Sequence, residues 1–167
     1  MARRVQHPRT EPAHGFLYEP GQLQVTRGHA EVEDLLNQVS QYQKHPFNPR
    51  QADAFRSSFT DRLSLLWGPP GTGKTTVLAG VILGGIENAW QSGEPITVGV
   101  GASNYNAIDT VLRDVADLLG RRASVLGELP GNVRIARLRS ESAKPPLDER
   151  IEDVVRTAPA ARVLAGA

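Results

Sequence analysis

Trp67-Gly68-Pro69-Pro70-Gly71-Thr72-Gly73-Lys74-Thr75-Thr76 satisfies the pattern G-x-x-x-x-G-K-[ST] without departure. Before it, Arg62-Leu63-Ser64-Leu65-Leu66-Trp67 reads as a short buried strand. After it, Val77, Leu78, Val81 and Ile82 fall on one face of a helix. Strand, glycine loop and helix in that order mark a phosphate site rather than a Gly/Pro turn that happens to precede a lysine. Glycines at 68, 71 and 73 let the backbone bend until several N–H groups point inward as an anion nest. The helix that starts near Gly73 adds its positive N-terminal end. Residues Gly68 to Thr76, with Pro69, Pro70, Gly71 and Thr72 forming the loop, are thus the expected nucleotide cradle. Lys74 is placed to reach the β- and γ-phosphates as a point charge. The Thr75 hydroxyl is placed to take one position on Mg²⁺, an ion that keeps several of its waters.

Upstream lies Phe47-Asn48-Pro49-Arg50-Gln51. Asn48 is a good N-cap, Pro49 suits the first helical position, and Gln51 is spaced to close a capping box. Locally this needs no function. An amide can nevertheless donate to and accept from an adenine edge at once, so Gln51, one helix and one strand before the loop, is also a candidate adenine contact. Further back, Val32, Leu35, Leu36 and Val39 predict an amphipathic packing helix over 29–43. Residues 1–28 read as a loose leader rich in Pro and Gly, with at most short strand pieces such as Leu23-Gln24-Val25.

Downstream, the helix after the loop runs toward Trp90 across Gly84-Gly85, where a bend or a tight backbone contact is expected. Gln91 to Pro95 is a stop and turn. Ile96 to Ala102 reads as a second strand, and Ser103, Asn104, Tyr105 and Asn106 follow at its C-terminal edge, where open α/β sheets bind ligands. Ile108, Val111, Leu112, Val115, Leu118 and Leu119 predict a helix ended by Gly120, with Arg121 and Arg122 at its C-terminal dipole. Val133 to Leu138 reads as a third strand. Its arginines, with Arg139, face either a polyanion or solvent. Leu147, Ile151, Val154, Val155 and Ala158 are spaced as a further helix, and Ala161 to Ala167 as a strand. Alternating strands and helices around the glycine loop predict an α/β fold with a parallel sheet.

Composition narrows the class. With 167 residues, 40% hydrophobic and 22% charged, the chain is of globular kind. A net charge of +1 gives no whole-chain footprint for nucleic acid, although a local groove is compatible with it. The absence of cysteine excludes disulfides, Cys-ligated zinc and thiol catalysis. No apolar run approaches the roughly 18 residues of a membrane span, and the N-terminus has no apolar core of a signal peptide. A soluble cytoplasmic protein is expected.

Three pieces now stand in order: Asn48-Pro49-x-Gln51-x-x-Ala54, Gly68 to Thr75, and Ala102-Ser103-Asn104 leading to Ala107-Ile108-Asp109. Together they resemble the first RecA-like domain of superfamily 1 helicases, in particular the Upf-one-like group, over residues 46–167, with 1–45 as leader and helix. The resemblance implies a P-loop NTPase fold, ATP and Mg²⁺ as cofactors, and Lys74 and Thr75 as catalytic residues. It implies Gln51 as the residue that reads adenine. It also implies single-stranded DNA or RNA held by Ser103 and Asn104, with Tyr105 offering a stacking face. One extra residue relative to the family spacing leaves Asn104 and Asn106 as alternatives for the same role. The phosphate motif alone is equally at home in AAA+ ATPases, so a truncated AAA+ ATPase and a non-hydrolysing nucleotide-binding module are the competing readings. An ATPase of this type needs an apolar strand ending in Asp-Glu. Asp148-Glu149, preceded by Lys144-Pro145-Pro146-Leu147, is not one. The second RecA-like domain is not found either. The expectation is a RecA-like sheet incomplete at the C-terminus that binds ATP-Mg²⁺ weakly and does not hydrolyse it at helicase rates by itself.

Overall fold

Asn48 opens the best-defined start in the molecule. The computed structural model describes residues 29–61, 63–127 and 133–155. Backbone contacts divide the chain into two compact units, Met1–Val77 and Leu78–Ala167.

In the first unit, α1 (His29–Tyr42) and α2 (Pro49–Thr60) are two short helices in contact with each other. Val32, Leu35, Leu36, Val39 and Tyr42 of α1 are buried, as are Ala52, Phe55 and Phe59 of α2. The Phe55 ring lies 5.9 Å from Phe47 and 4.9 Å from Phe59, tilted in both cases, a favoured aromatic geometry. Arg56 of α2 grips Glu33 of α1, with Nη2 donating to Oε2 at 3.1 Å. Both side chains are about one-third exposed, so this surface pair adds little to the apolar contact.

The helix after the glycine loop, α3 (Lys74–Ser92), is continuous through Gly84-Gly85. The close contact expected there is with a side chain and not a backbone: a Cβ on Gly85 would stand 3.3 Å from Ile96 Cδ1. Gly93, at φ +70°, ends the helix as expected.

In the second unit, α4 spans Tyr105–Leu126. Gly120 does not end it, contrary to expectation. The helix runs on to Gly127, whose φ of +76° and N–H bond to the Ala123 carbonyl form the true cap. Arg122 therefore sits inside the helix and is 2% exposed, paired with Glu87 of α3, itself 1% exposed. The Arg122 guanidinium also lies 4.0 Å from the centre of the Trp90 ring. One glycine costs a helix roughly 1 kcal/mol relative to alanine, and the helix continues through Gly120 to set Arg122 against Glu87 and Trp90.

The strands depart most from expectation. Of the expected strand over 62–67, residues 63–67 form no strand, and Leu65 and Trp67 are 88% and 90% exposed. Ile96 to Ala102 likewise forms no strand. The third expected strand is present as β1 (Ala136–Arg139). The helix expected over 147–158 is not formed where it is described. Asp148 closes a turn, accepting from the Arg150 backbone at 3.0 Å, and Glu152–Val155 forms β2. β1 and β2 pair in parallel, Ala136 opposite Glu152 and Arg139 opposite Val155. The spacing of Ile151, Val154 and Val155 suits either element, and the available partner strand decided for β. The expected strand over 161–167 and the leader over 1–28 lie outside the described residues. Among the described residues no helix is long and apolar enough to cross a membrane.

Candidate nucleotide site

The loop Gly68 to Gly73 leads directly into α3, whose first residue is Lys74. Gly71 and Gly73 both take φ +80°, a conformation that side-chain-bearing residues rarely adopt. The first intrahelical bond runs from the Val77 N–H to the Gly73 carbonyl at 3.0 Å. The N–H groups of Lys74, Thr75 and Thr76 thus have no acceptor within the helix, which is what a helix start offers an anion. Lys74 folds back over the loop, its Nζ donating to the carbonyls of Gly68 at 2.6 Å and Pro69 at 2.8 Å. The Thr72 hydroxyl donates to the same Pro69 carbonyl at 2.9 Å. The loop is therefore pinned by the side chains of Lys74 and Thr72.

Gln51 is brought to this loop from α2. Its Oε1 accepts from the Asn48 N–H at 3.0 Å while Asn48 Oδ1 accepts from the Gln51 N–H at 3.0 Å, the full capping box. At the same time Gln51 Nε2 donates to the Thr72 carbonyl at 3.2 Å. A Cβ on Gly73 would fall 2.4 Å from that nitrogen, so a side chain there would push the Gln51 amide aside, and the φ of +80° disfavours one in any case. The helix cap was legible from residue types. The bond to Thr72 was not, because nothing in local spacing tells which side chain meets a loop 21 residues away.

In the second unit, Asn104 caps α4, its Oδ1 accepting from the Ala107 N–H at 2.9 Å. Ser103 and Asn106 are exposed. Tyr105 is committed on two sides: its hydroxyl accepts from the Ser140 N–H at 3.0 Å, and Arg137 lies 4.6 Å over its ring. The bond from Ser140, with Arg137 and Arg139 nearby, holds the phenol below its usual pKa. Arg137 is buried, donates to the Lys144 carbonyl at 2.8 Å and has its Nε 2.8 Å from Asp109 Oδ1. That last contact is an ion pair whose angle is poor for a hydrogen bond, and neither atom has another such partner. Arg134 pairs with Glu152 and Arg139 with Asp153. Arg134 and the two arginines of β1 thus cross-link the protein to itself. This ion-pair net was not foreseen; the acidic residues that compose it are scattered in sequence.

Positive-φ glycines, a lysine opening a helix and a glycine that admits a neighbouring amide define a phosphate-binding loop of the P-loop class. Residues 46–159 match the model of an AAA domain family of the superfamily 1 helicase type, and the chain belongs to that family. The match carries the P-loop fold and a helicase-related NTPase lineage. No curated protein and no solved structure matches the chain.

Proposed function

We propose that this chain is the ATP-binding part of a superfamily 1 helicase, forming the beginning of its first RecA-like domain. The observation that carries the proposal is the loop itself: Gly71 and Gly73 at φ +80° deliver Lys74 to the start of a 19-residue helix. Such a site fits a nucleoside triphosphate with its magnesium. The N–H groups of residues 73–76 and Lys74 would hold the phosphates, and Thr75 would provide one oxygen to the ion. The bound ion would neutralise phosphate charge. Lys74 first has to leave the carbonyls of Gly68 and Pro69, exchanging two neutral acceptors for charged ones, which are the stronger partners.

Residues Ser103 to Asn106 are proposed to meet a single strand of DNA or RNA through its phosphates. The exposure of Ser103 and Asn106 at a helix start supports this. Tyr105 acts there through Ser140 and Arg137 rather than as a free stacking face.

No stretch of the 167 residues is an apolar run ending in Asp-Glu, so the chain alone is proposed to bind rather than turn over. The deciding experiment is calorimetric titration with MgATP, paired with an ATPase assay in the presence and absence of single-stranded nucleic acid. Binding that Lys74→Ala abolishes, without stimulated turnover, is the expected result. Strand-stimulated hydrolysis that Lys74→Ala removes would refute the second half; binding indifferent to Lys74 would refute the first.

A further inference from the structure

Gln51 is placed where it can do more than read a base. Its oxygen serves the cap of α2, and its nitrogen holds the Thr72 carbonyl. That carbonyl belongs to the peptide that leads into Gly73, and Gly73 presents its Cα side directly to the same nitrogen. Both polar ends of one amide are therefore engaged, one on a helix start and one on the phosphate loop.

We propose that Gln51 is a positioning residue for the phosphate loop: by clamping the Thr72 carbonyl it fixes the orientation of the peptide that begins the anion nest, whatever base the nucleotide carries. The inference deepens the nucleotide-site reading and rests on it. Its physical basis is that a peptide plane has a donor side and an acceptor side. Holding the Thr72 carbonyl toward α2 turns the Gly73 N–H, on the same plane, the opposite way. Gly73 has the conformational freedom to let this plane rotate, so an external clamp is the means of restricting it. Reading adenine would use the second Nε2 hydrogen or the free lone pair of Oε1, and its loss would weaken only a ligand that carries the base. The two roles then differ in a measurable way, because the clamp acts on a ligand with no base at all.

The test is titration of the full chain with MgATP, MgGTP and magnesium tripolyphosphate, the last carrying phosphates only. Gln51→Ala is expected to weaken all three by the same factor, roughly three- to tenfold, as for loss of one hydrogen bond. Gln51→Glu keeps the acceptor for the Asn48 N–H and so keeps the cap and the melting temperature, but sets an oxygen against the Thr72 carbonyl. It is expected to show the same or a larger loss. The neutral alanine variant separates this from charge repulsion. Asn48→Ala removes the cap oxygen and leaves the clamp: it should lower the melting temperature and leave tripolyphosphate affinity unchanged. Loss confined to MgATP, or tripolyphosphate binding that Gln51→Ala leaves intact, would overturn the clamp while the phosphate site stood. Wild-type chain that binds none of the three ligands would overturn the phosphate site itself, and the clamp with it.

Discussion

Arg122 is the residue whose environment is furthest from what its type suggests. It lies inside α4, buried, against Glu87 and the Trp90 ring. Breaking a buried ion pair from one side strands a charge in a poorly solvated place. Glu87→Ala is therefore expected to cost about 3–5 kcal/mol in a urea denaturation series, whereas a paired apolar replacement of both residues should recover most of it. Leu83, fully buried on α3, and Leu65, 88% exposed, offer a cleaner contrast of one residue type. Leu83→Ala should lose about 2–5 kcal/mol and Leu65→Ala no more than about 0.5. Asp148 gives the pH dependence. The Arg150 guanidinium, with the Arg150 backbone N–H beside it, holds its carboxyl down at about 2. A carboxylate with a depressed pKa stabilises the fold above its ordinary value near 3.8, and that contribution disappears as pH falls toward 2. The stability difference between wild type and Asp148→Asn should be constant above about pH 5 and vanish over that acid interval. Asp153, held low by Arg139, works in the same direction.

At the scale of the element, two glycines of α4 have opposite expectations. Gly120 is helical, and a Cβ there meets nothing within 4 Å. Gly120→Ala should stabilise the protein by about 0.5–1 kcal/mol. Gly127 has equal space but φ +76°, so Gly127→Ala should destabilise it by about 1 kcal/mol, read in the same thermal melts. Helices were the legible part of this sequence. The stripe of α1 and the Asn48–Gln51 box of α2 are local, since a helix satisfies its backbone from within four residues. Strands were not. Leu63 to Trp67 and Ile96 to Ala102 have the composition of strands, yet a strand exists only with a neighbour to take its hydrogen bonds. The short parallel pair of β1 and β2 shows the converse: Val154 and Val155 became a ladder because Leu138 and Arg139 lay beside them.

At the scale of the whole molecule, each of the two units has a core. One is centred on Val39 and Phe55. The other includes Leu83 and Val115. The second also contains a cavity of about 360 Å³ among apolar side chains including Ile82, Ile86, Ile96, Leu112 and Val133, beside the segment that has no ladder. Leu63, Leu65, Leu66 and Trp67, and Ile96 and Val98, expose apolar side chains on segments that form no strand, a surface suited to association between copies. The chain is expected to self-associate with rising concentration in sedimentation velocity runs, and Leu65→Lys to reduce that. A concentration-independent monomer with a sharp, reversible melt would contradict this. The sequence by itself determined the phosphate loop, its lysine, the helix that follows and the cap of α2, because each depends on residues a few positions apart. Tertiary structure alone decided that α4 passes through Gly120, that residues 152–155 form a strand, that the β1 arginines turn inward, and that Gln51 meets Thr72. Each of those depends on a partner remote in sequence, and hydrogen bonds and buried charges are settled by what stands opposite them in space.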